Sequence, residues 1–256
     1  MNILQAGILG IVEGLTEFLP ISSTFHLIWS ARLLGLTQTE FLKLFEVVIQ
    51  SGAILAIVVI YVQTVLHDLK LIKNLFISFV PTAVIGLLLY KVIKNSFFDN
   101  FILQLVIFIG VGIFFILFEK WSTRHDLHRK AENLTTKEAV FVGVAQALAV
   151  FPGVSRAGAV MIALMYRKIS RVEAAKYSFL LAVPTLLAAS VLDLFKSRNV
   201  LFQNNQNIPL LAVGFLFSFV SAFVVVKWFI AYLQSHNLTN FGWYRIIAGT
   251  LLFITK

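Results

Sequence analysis

The stretch of sequence that decides the fold is EGLTEFLPISSTFH, residues 13–26. It ends an apolar run that begins near residue 2, and Pro20 interrupts it shortly before three hydroxyl residues. Proline ends a helix because it lacks an N–H donor and its ring clashes with the preceding turn. Serine favours the start of the next helix. The stretch therefore predicts two short helices, at about 2–19 and 22–35, that meet as a re-entrant hairpin.

A second break of the same kind occurs at FPGVS, residues 151–155. It separates short apolar segments at about 138–151 and 155–167, which predicts a second hairpin. Ser22, Ser23 and Ser155 are the candidate N-cap residues of the helices that follow the two breaks.

The two breaks also match in position. At an offset of 132 residues, Pro20 pairs with Pro152 and Ser23 pairs with Ser155. Further weak matches occur in the same order along the chain, which indicates that the two halves are copies of each other.

The composition assigns the chain to the membrane. Of its 256 residues, 59% are apolar and 13% are charged, whereas soluble domains have roughly 45–50% and 25%. A disordered chain, a nucleic-acid arm and an ordinary soluble enzyme are therefore excluded. The net charge of +9 fits basic cytoplasmic loops and anionic headgroups, so membrane lipids and no nucleic acid are the expected partners. The chain has no cysteine, which excludes a thiolate nucleophile and a Cys metal site.

Six apolar runs are long enough to cross a bilayer. They lie at about 42–62, 74–92, 101–119, 176–196, 208–233 and 241–255.

The predicted architecture is an all-α integral membrane protein with two inverted repeats, each a re-entrant helical hairpin plus three transmembrane helices. The first repeat is 1–119, the polar linker is 120–137, and the second repeat is 138–256. The hairpins are at about 2–35 and 138–167. A re-entrant hairpin does not cross the membrane, so each half crosses it three times. Because three is an odd number, the second copy has the opposite orientation in the membrane, as in many transporters.

Loop charge predicts the orientation. The loops at 63–73, 120–137 and 167–172 fall on one side and carry ten lysines and arginines, against five on the opposite side. The first side is therefore expected in the cytoplasm, and the first hairpin is expected to open outward.

Glu13 and Glu17 are the first candidate functional residues. Their spacing of four places both carboxylates on one helical face. An intramembrane charge costs about 2.5–3.5 kcal/mol, so such carboxylates are functional candidates. A divalent cation, Mg²⁺ or Ca²⁺, would relieve both burial and repulsion. The alternative is that the helix lies near the surface and both side chains reach water.

Ser22, Ser23, Thr24 and His26 directly follow the first break. The alternative role for the hydroxyls is helix capping, which for Ser22 alone is favoured. His26 could act as an acid, a base or a nucleophile. Four polar residues within five positions, close to an acidic pair, favour function over structure.

In the second break, Arg156 needs an anionic partner within an apolar hairpin. The free N–H groups at that helix start, near Gly153 and Ser155, would form a phosphate cradle with Arg156. An ion pair with Glu13 or Glu17, and no ligand, is an equally favoured alternative.

Glu46 and Gln50 could support the same site, or they could simply pair between helices. Gln146 occupies the place in the second repeat that Glu13 holds in the first. Two acids, a cation and an arginine suit a phosphorylated ligand, and a ligand that reaches this depth should have a lipid tail. Ser22, Thr24, Gly153 and Ser155 are the candidate substrate-binding residues.

Residues 13–26 and PGVSR, residues 152–156, resemble the two signature regions of the undecaprenyl-diphosphate phosphatases, the bacitracin-resistance family. The similarity covers essentially the whole chain. It implies a multi-pass enzyme of the bacterial plasma membrane that removes the terminal phosphate of undecaprenyl diphosphate and so recycles a lipid carrier for envelope polymers. It also implies a metal requirement and the inverted-repeat fold.

By position, the resemblance implies catalytic roles for Glu13, Glu17, Ser23, His26 and Arg156. The nucleophile could be Ser23, His26 or a water activated by Glu17, and the sequence does not choose among them. The sequence also leaves the oligomeric state open, and a homo-oligomer is one of the possibilities.

The sequence departs from the family pattern at Phe25, usually glycine, and at Ala157 and Val160, usually serine and threonine. Ala157 and Val160 suggest a non-catalytic descendant as one other hypothesis. The transporter-like inverted repeats suggest another, a transporter or flippase for lipid phosphates that uses the same midplane site.

Overall fold

The structure, a computed structural model, describes residues 1–96, 101–151 and 153–254, and these are almost entirely helical. Within those ranges no β-strand forms, which confirms the all-α prediction. The helices are α1 (Ile3–Thr16), α2 (Ser23–Leu33), α3 (Glu40–Val48), α4 (Gln50–Leu66), α5 (Leu69–Ser96), α6 (Phe101–Ser122), α7 (Thr136–Ala147), α8 (Arg156–Tyr166), α9 (Arg171–Lys196), α10 (Arg198–Phe202), α11 (Asn207–Leu233) and α12 (Thr239–Ile254).

Five helical segments of the described chain are long and apolar enough to cross a bilayer, which confirms a multi-pass membrane protein. They are Glu40–Leu66, which joins α3 and α4, and Leu69–Leu89, Phe101–Ser122, Arg171–Lys196 and Asn207–Leu233. The sixth predicted span, 241–255, corresponds to α12, which has 16 described residues and is shorter than the other five. Its last position lies outside the described residues.

Two short helices flank each of the two predicted breaks, while their re-entry into the membrane stays a prediction. The paired helices α1 and α2 have 14 and 11 residues, and α7 and α8 have 12 and 11. At 1.5 Å per residue each is roughly 16–21 Å long, too short to cross a hydrocarbon core of about 30 Å. Pro152, the centre of the second predicted break, lies outside the described residues.

The boundaries of the first hairpin correct two sequence expectations. Helix α1 ends at Thr16, so Glu17 is its C-cap residue rather than part of an uninterrupted helix to residue 19. Ser22 stands at the N-cap of α2, yet its side chain caps nothing, and Ser23 is already helical. Ser155 does cap α8, because its hydroxyl accepts a hydrogen bond from the Gly158 N–H at 3.3 Å. Ser22 and Ser155 therefore occupy equivalent N-cap positions, although only Ser155 makes the capping hydrogen bond.

Close helix contacts at small residues hold each hairpin in place. Helix α1 packs along α11, and α7 packs along α5. A Cβ atom at Gly10 would collide with the Gly214 carbonyl, and one at Gly143 would collide with the Ser78 carbonyl. Such small residues let helix backbones approach closely within a membrane. Each hairpin thus packs on a long helix of the other half, while the inverted-repeat relation itself stays a prediction.

The basic loops meet at one end of the molecule. Arg129 in the linker accepts a hydrogen bond from the Ser170 N–H and donates one to the Lys168 carbonyl, each at 3.0 Å. The Asn74 amide donates to the Leu134 carbonyl at 3.1 Å. The linker 120–137 is therefore docked on its neighbours rather than freely solvated.

Glu138, at the start of α7, is the ionic centre of this end. It binds Arg129 at 2.9 Å and Arg167 at 3.1 Å. The hydrogen bond from Arg129 is the main cause that lowers the pKa of Glu138 to about 2, so the carboxylate is charged at neutral pH. The exit of the second hairpin is thereby fixed to the linker.

Candidate active site

The two helix breaks carry unusual backbone conformations at matching positions. Ser22 has φ 68° and Ser155 has φ 77°, values that residues other than glycine rarely adopt. Such a conformation costs about 1–3 kcal/mol and is found most often at functional sites. Gly153 has φ 98°, a conformation in which a side chain would collide with its own backbone. A Cβ atom at this position would also lie too close to the Gln104 carbonyl.

Arg156 joins the second break to the first. Its Nη2 donates to Glu17 Oε1 at 2.8 Å, and its Nη1 donates to the Ser178 carbonyl at 2.9 Å. The other carboxylate oxygen of Glu17 accepts a short hydrogen bond from the Ser23 hydroxyl. Both side chains of the ion pair are buried. The ion pair considered from the sequence is therefore present, with Glu17 as its acid.

Arg156 nevertheless keeps an unused donor. Its Nε is buried and has no hydrogen-bond partner among the described residues. A buried N–H without a partner is costly. Burial of this group is therefore consistent with a site that a ligand completes.

Glu13 lies behind this pair and is fully buried. Neither of its carboxylate oxygens has a hydrogen-bond partner in the described part of the chain. Glu17, Arg156 and Glu46 are all close enough to interact with it electrostatically. A buried carboxylate in this state requires a proton or a cation to offset its desolvation.

A polar cavity of about 210 Å³ lies between the two breaks. Seven of the nine residues predicted from the sequence line it: Glu17, Ser22, Ser23, Thr24, Gly153, Ser155 and Arg156. The remaining polar lining comes from Gln50, Thr82, Gln146 and Thr185. The structure thus brings hydroxyls, a carboxylate and a guanidinium around one enclosed space, while Glu13 and His26 are not among the lining residues.

One wall of the cavity is a hydrogen-bonded group of three side chains. The Gln146 amide donates to Thr82 Oγ1 at 2.8 Å and to Thr185 Oγ1 at 3.2 Å. Gln146 Oε1 is buried without a partner in the ranges that the structure describes. The sequence analysis missed Thr82 and Thr185. A signal was present, because each follows a proline within an apolar run.

His26 does not line the cavity, and its side chain contacts Ser22 and Tyr244 instead. Its Nδ1 lies 2.8 Å from the Ser22 carbonyl, and its Nε2 lies 2.7 Å from the Tyr244 hydroxyl. The two rings also stack, with centroids 5.7 Å apart. Both ring nitrogens are therefore engaged, and His26 makes no hydrogen bond to Ser23 in this structure.

Arg245 is the functional residue that the sequence analysis missed entirely. It is fully buried in α12. Its guanidinium donates to the carbonyls of Phe108 at 2.9 Å and Pro20 at 3.2 Å, and also to that of Gly153. Pro20 belongs to the first break and Gly153 to the second, so one side chain fixes the distance between them.

The chain matches the family model of bacitracin resistance protein BacA over residues 6–251. This chain belongs to the BacA family. It is 44% identical over 245 residues to an undecaprenyl-diphosphatase of Aquifex aeolicus, which covers 96% of this chain and 95% of that protein. It is also 44% identical to undecaprenyl-diphosphatases of Campylobacter fetus and Persephonella marina, in each case over 99% of both chains.

The departures of this BacA-family chain from the family pattern lie in its core. Phe25 is buried and stacks on Phe108 with ring centroids 4.2 Å apart. Ala157 and Val160 are also buried, and neither is among the residues that line the polar cavity. The two missing hydroxyls are therefore replaced by packing rather than by a gap in the cavity wall.

Proposed function

We propose that this chain hydrolyses undecaprenyl diphosphate to undecaprenyl phosphate and inorganic phosphate. The observation that carries the proposal is the Ser23 hydroxyl donating to a carboxylate, Glu17, that Arg156 holds in place. A hydroxyl bonded to a fixed base is the arrangement of an activated nucleophile. The undecaprenyl-diphosphatase names of the relatives favour this activity over a lipid-phosphate transporter.

In the proposed first step, Ser23 Oγ attacks the terminal phosphorus and its proton passes to Glu17. The bond between that phosphorus and the bridging oxygen breaks, and undecaprenyl phosphate leaves with the bond electrons. Glu17 regains its charge by passing the proton received from Ser23 to the phosphate oxygen of the departing undecaprenyl phosphate. In the second step, Glu17 accepts a proton from water, the water oxygen attacks the phosphorus, the bond between phosphorus and Ser23 Oγ breaks, and the proton passes from Glu17 to Ser23 Oγ. Inorganic phosphate is released.

Arg156 and the start of α8 supply the positive potential. Charge on the transferred phosphoryl oxygens is the main catalytic demand of this chemistry. Arg156 lines the cavity while its guanidinium is bonded to Glu17 and Ser178, so its positive charge is held next to the site. The helix N-terminus at Ser155 adds backbone N–H groups for the same anion.

We also propose that Glu13 and Glu17 hold a divalent cation. The donor set fits a hard cation, because the Glu13 oxygens are buried without partners and Ser23 adds a hydroxyl oxygen nearby. Across the residues described, no cluster of three acidic or histidine side chains occurs. The proposed cation is Mg²⁺ or Ca²⁺, and Mg²⁺ typically binds through one or two carboxylates together with water and substrate phosphates. When bound, the cation would neutralise phosphate charge.

The cavity is proposed to open to the outer face of a bacterial plasma membrane. Gln50, Thr82 and Thr185 line it at roughly 20–24 Å, along their helices, from the end with the basic loops. Basic loops favour the cytoplasm, and the hydrocarbon core is about 30 Å thick. The site would therefore lie in the outer half of the bilayer.

The test is phosphate release from undecaprenyl diphosphate by the purified protein, with sealed vesicles as a second arm. We expect release in detergent, where no gradient or second compartment exists. Movement of labelled undecaprenyl phosphate across vesicles without any release in detergent would overturn the proposal in favour of a transporter.

A further inference from the structure

A large apolar groove runs along the outside of α6, between α7 and α8. Its volume is about 850 Å³, within the range of roughly 300–1,000 Å³ usual for small-molecule sites. Aromatic side chains form much of its wall, among them Phe114, Phe118, Phe141 and Tyr166. Planar rings offer a rigid apolar surface at low entropic cost.

Small residues shape the floor of the groove. Ala145, Ala159 and Ala163 line it where larger side chains would fill it. Along α6 its lining extends from Ile107 to Trp121, which is about four helical turns or roughly 21 Å. An extended chain fits this shape better than a compact ligand.

The groove adjoins the polar cavity. Phe151, at the second break, lines both. A second apolar groove, between α4, α5 and α9, is lined by Ile57, Val62 and Leu180 among others and shares no lining residue with the cavity. Position relative to the cavity therefore distinguishes the two grooves.

We propose that the α6–α7–α8 groove binds the isoprenoid units next to the diphosphate, with Phe151 at the passage from headgroup to tail. This inference rests on the proposed function. Within a bilayer both the tail and its surroundings are apolar, so burial alone gives no hydrophobic gain. What the groove contributes is shape and alignment, which present the terminal phosphorus to Ser23.

The test compares two identical substitutions. Val111→Phe narrows this groove, and Val62→Phe makes the same change in the other one. Each variant is assayed on undecaprenyl diphosphate and on a five-carbon isoprenyl diphosphate that is too short to follow α6.

We expect Val111→Phe to lower kcat/KM for undecaprenyl diphosphate by about tenfold, because misplacing a reacting group by an ångström has effects of this size or larger. Val111→Phe should leave kcat/KM for the five-carbon substrate unchanged. Val62→Phe should leave kcat/KM unchanged for both substrates. Equal losses on both substrates, or no difference between the two variants, would overturn the groove assignment while leaving hydrolysis intact. Ala159→Leu is the second groove variant if Val111→Phe does not fold.

Photolabelling separates the groove from the proposed function. The probe is an undecaprenyl diphosphate analogue with a photoreactive group in its second isoprene unit. We expect labelled peptides from α6, α7 and α8, competed by undecaprenyl phosphate and not by phosphatidylglycerol. Labelling around Val62, or equal competition by the phospholipid, would assign the groove to an acyl chain. A wild-type protein that is labelled in the groove but releases no phosphate would refute hydrolysis and keep the groove.

Discussion

Arg156 and Glu17 are 139 positions apart and form a buried ion pair with an Nη2–Oε1 distance of 2.8 Å. The pair joins the first residue of α8 to the C-cap residue of α1, so each half of the chain contributes one charge. Because Ser23 donates to the same carboxylate, a change at either break should affect the other. The predictions below use this dependence.

Arg156→Lys should lose activity although the charge is kept. Lysine cannot reproduce the planar fork that bonds Glu17 and Ser178 at once. Losing a charge-assisted hydrogen bond costs about 1.5–3 kcal/mol, or about 10- to 150-fold in turnover at saturating substrate.

The matched control is Arg171→Lys, which makes the same change in the Arg171–Glu119 ion pair at the basic end. We expect turnover close to wild type for this control. Near-normal turnover of Arg156→Lys itself would favour a purely structural ion pair.

Glu13→Gln should abolish the response to divalent cations and lower turnover by at least about tenfold, the scale seen when a metal site loses support. It should not lower the thermal stability measured in detergent, because a buried carboxylate without partners is itself costly. Activity is measured against Mg²⁺ concentration after chelation. An unchanged Mg²⁺ dependence would remove Glu13 from the cation site.

Arg245→Lys should destabilise the protein and reduce its activity. Lysine cannot reach the carbonyls of Phe108, Pro20 and Gly153 together, and each buried carbonyl left unpaired costs about 1–3 kcal/mol. The measurements are the free energy of unfolding in detergent and kcat. Arg32→Lys, at an exposed position, is the control. A stable and fully active Arg245→Lys variant would show that the two breaks hold their spacing without this side chain.

Ala157→Ser combined with Val160→Thr should leave turnover within about twofold of wild type. The resemblance to the family suggested that these two hydroxyls are missing from phosphate recognition. Both residues are instead buried away from the cavity, so the added hydroxyls cannot reach a ligand there without repacking. A clear rise in turnover would show that the cavity extends to these positions when substrate binds.

The sequence was informative where the chemistry is local. Prolines beside serines predicted both hairpins, and long apolar runs predicted the spans, because these features act within one helix. Glu17, Ser23 and Arg156 were found because charges and clustered hydroxyls stand out against an apolar background.

Interactions between distant segments could not be predicted in this way. The hydrogen bonds of the Arg245 guanidinium go to backbone carbonyls, and no pattern of side chains encodes those partners. The contact of His26 with Tyr244 spans 218 positions. Thr82 and Thr185 each follow a proline, but nothing in the sequence nearby shows that packing brings Gln146 between them.

The most direct test of the account is a double-mutant cycle on Glu17 and Ser23, read as phosphate release from undecaprenyl diphosphate. If Glu17 is the base for Ser23, Glu17→Gln and Ser23→Ala should each lower kcat by about 10²–10⁴-fold. The double variant should have a kcat no lower than that of the less active single variant, because the effects of groups that act as one unit are not additive. Near-wild-type turnover of Ser23→Ala, or losses that multiply in the double variant, would contradict the account.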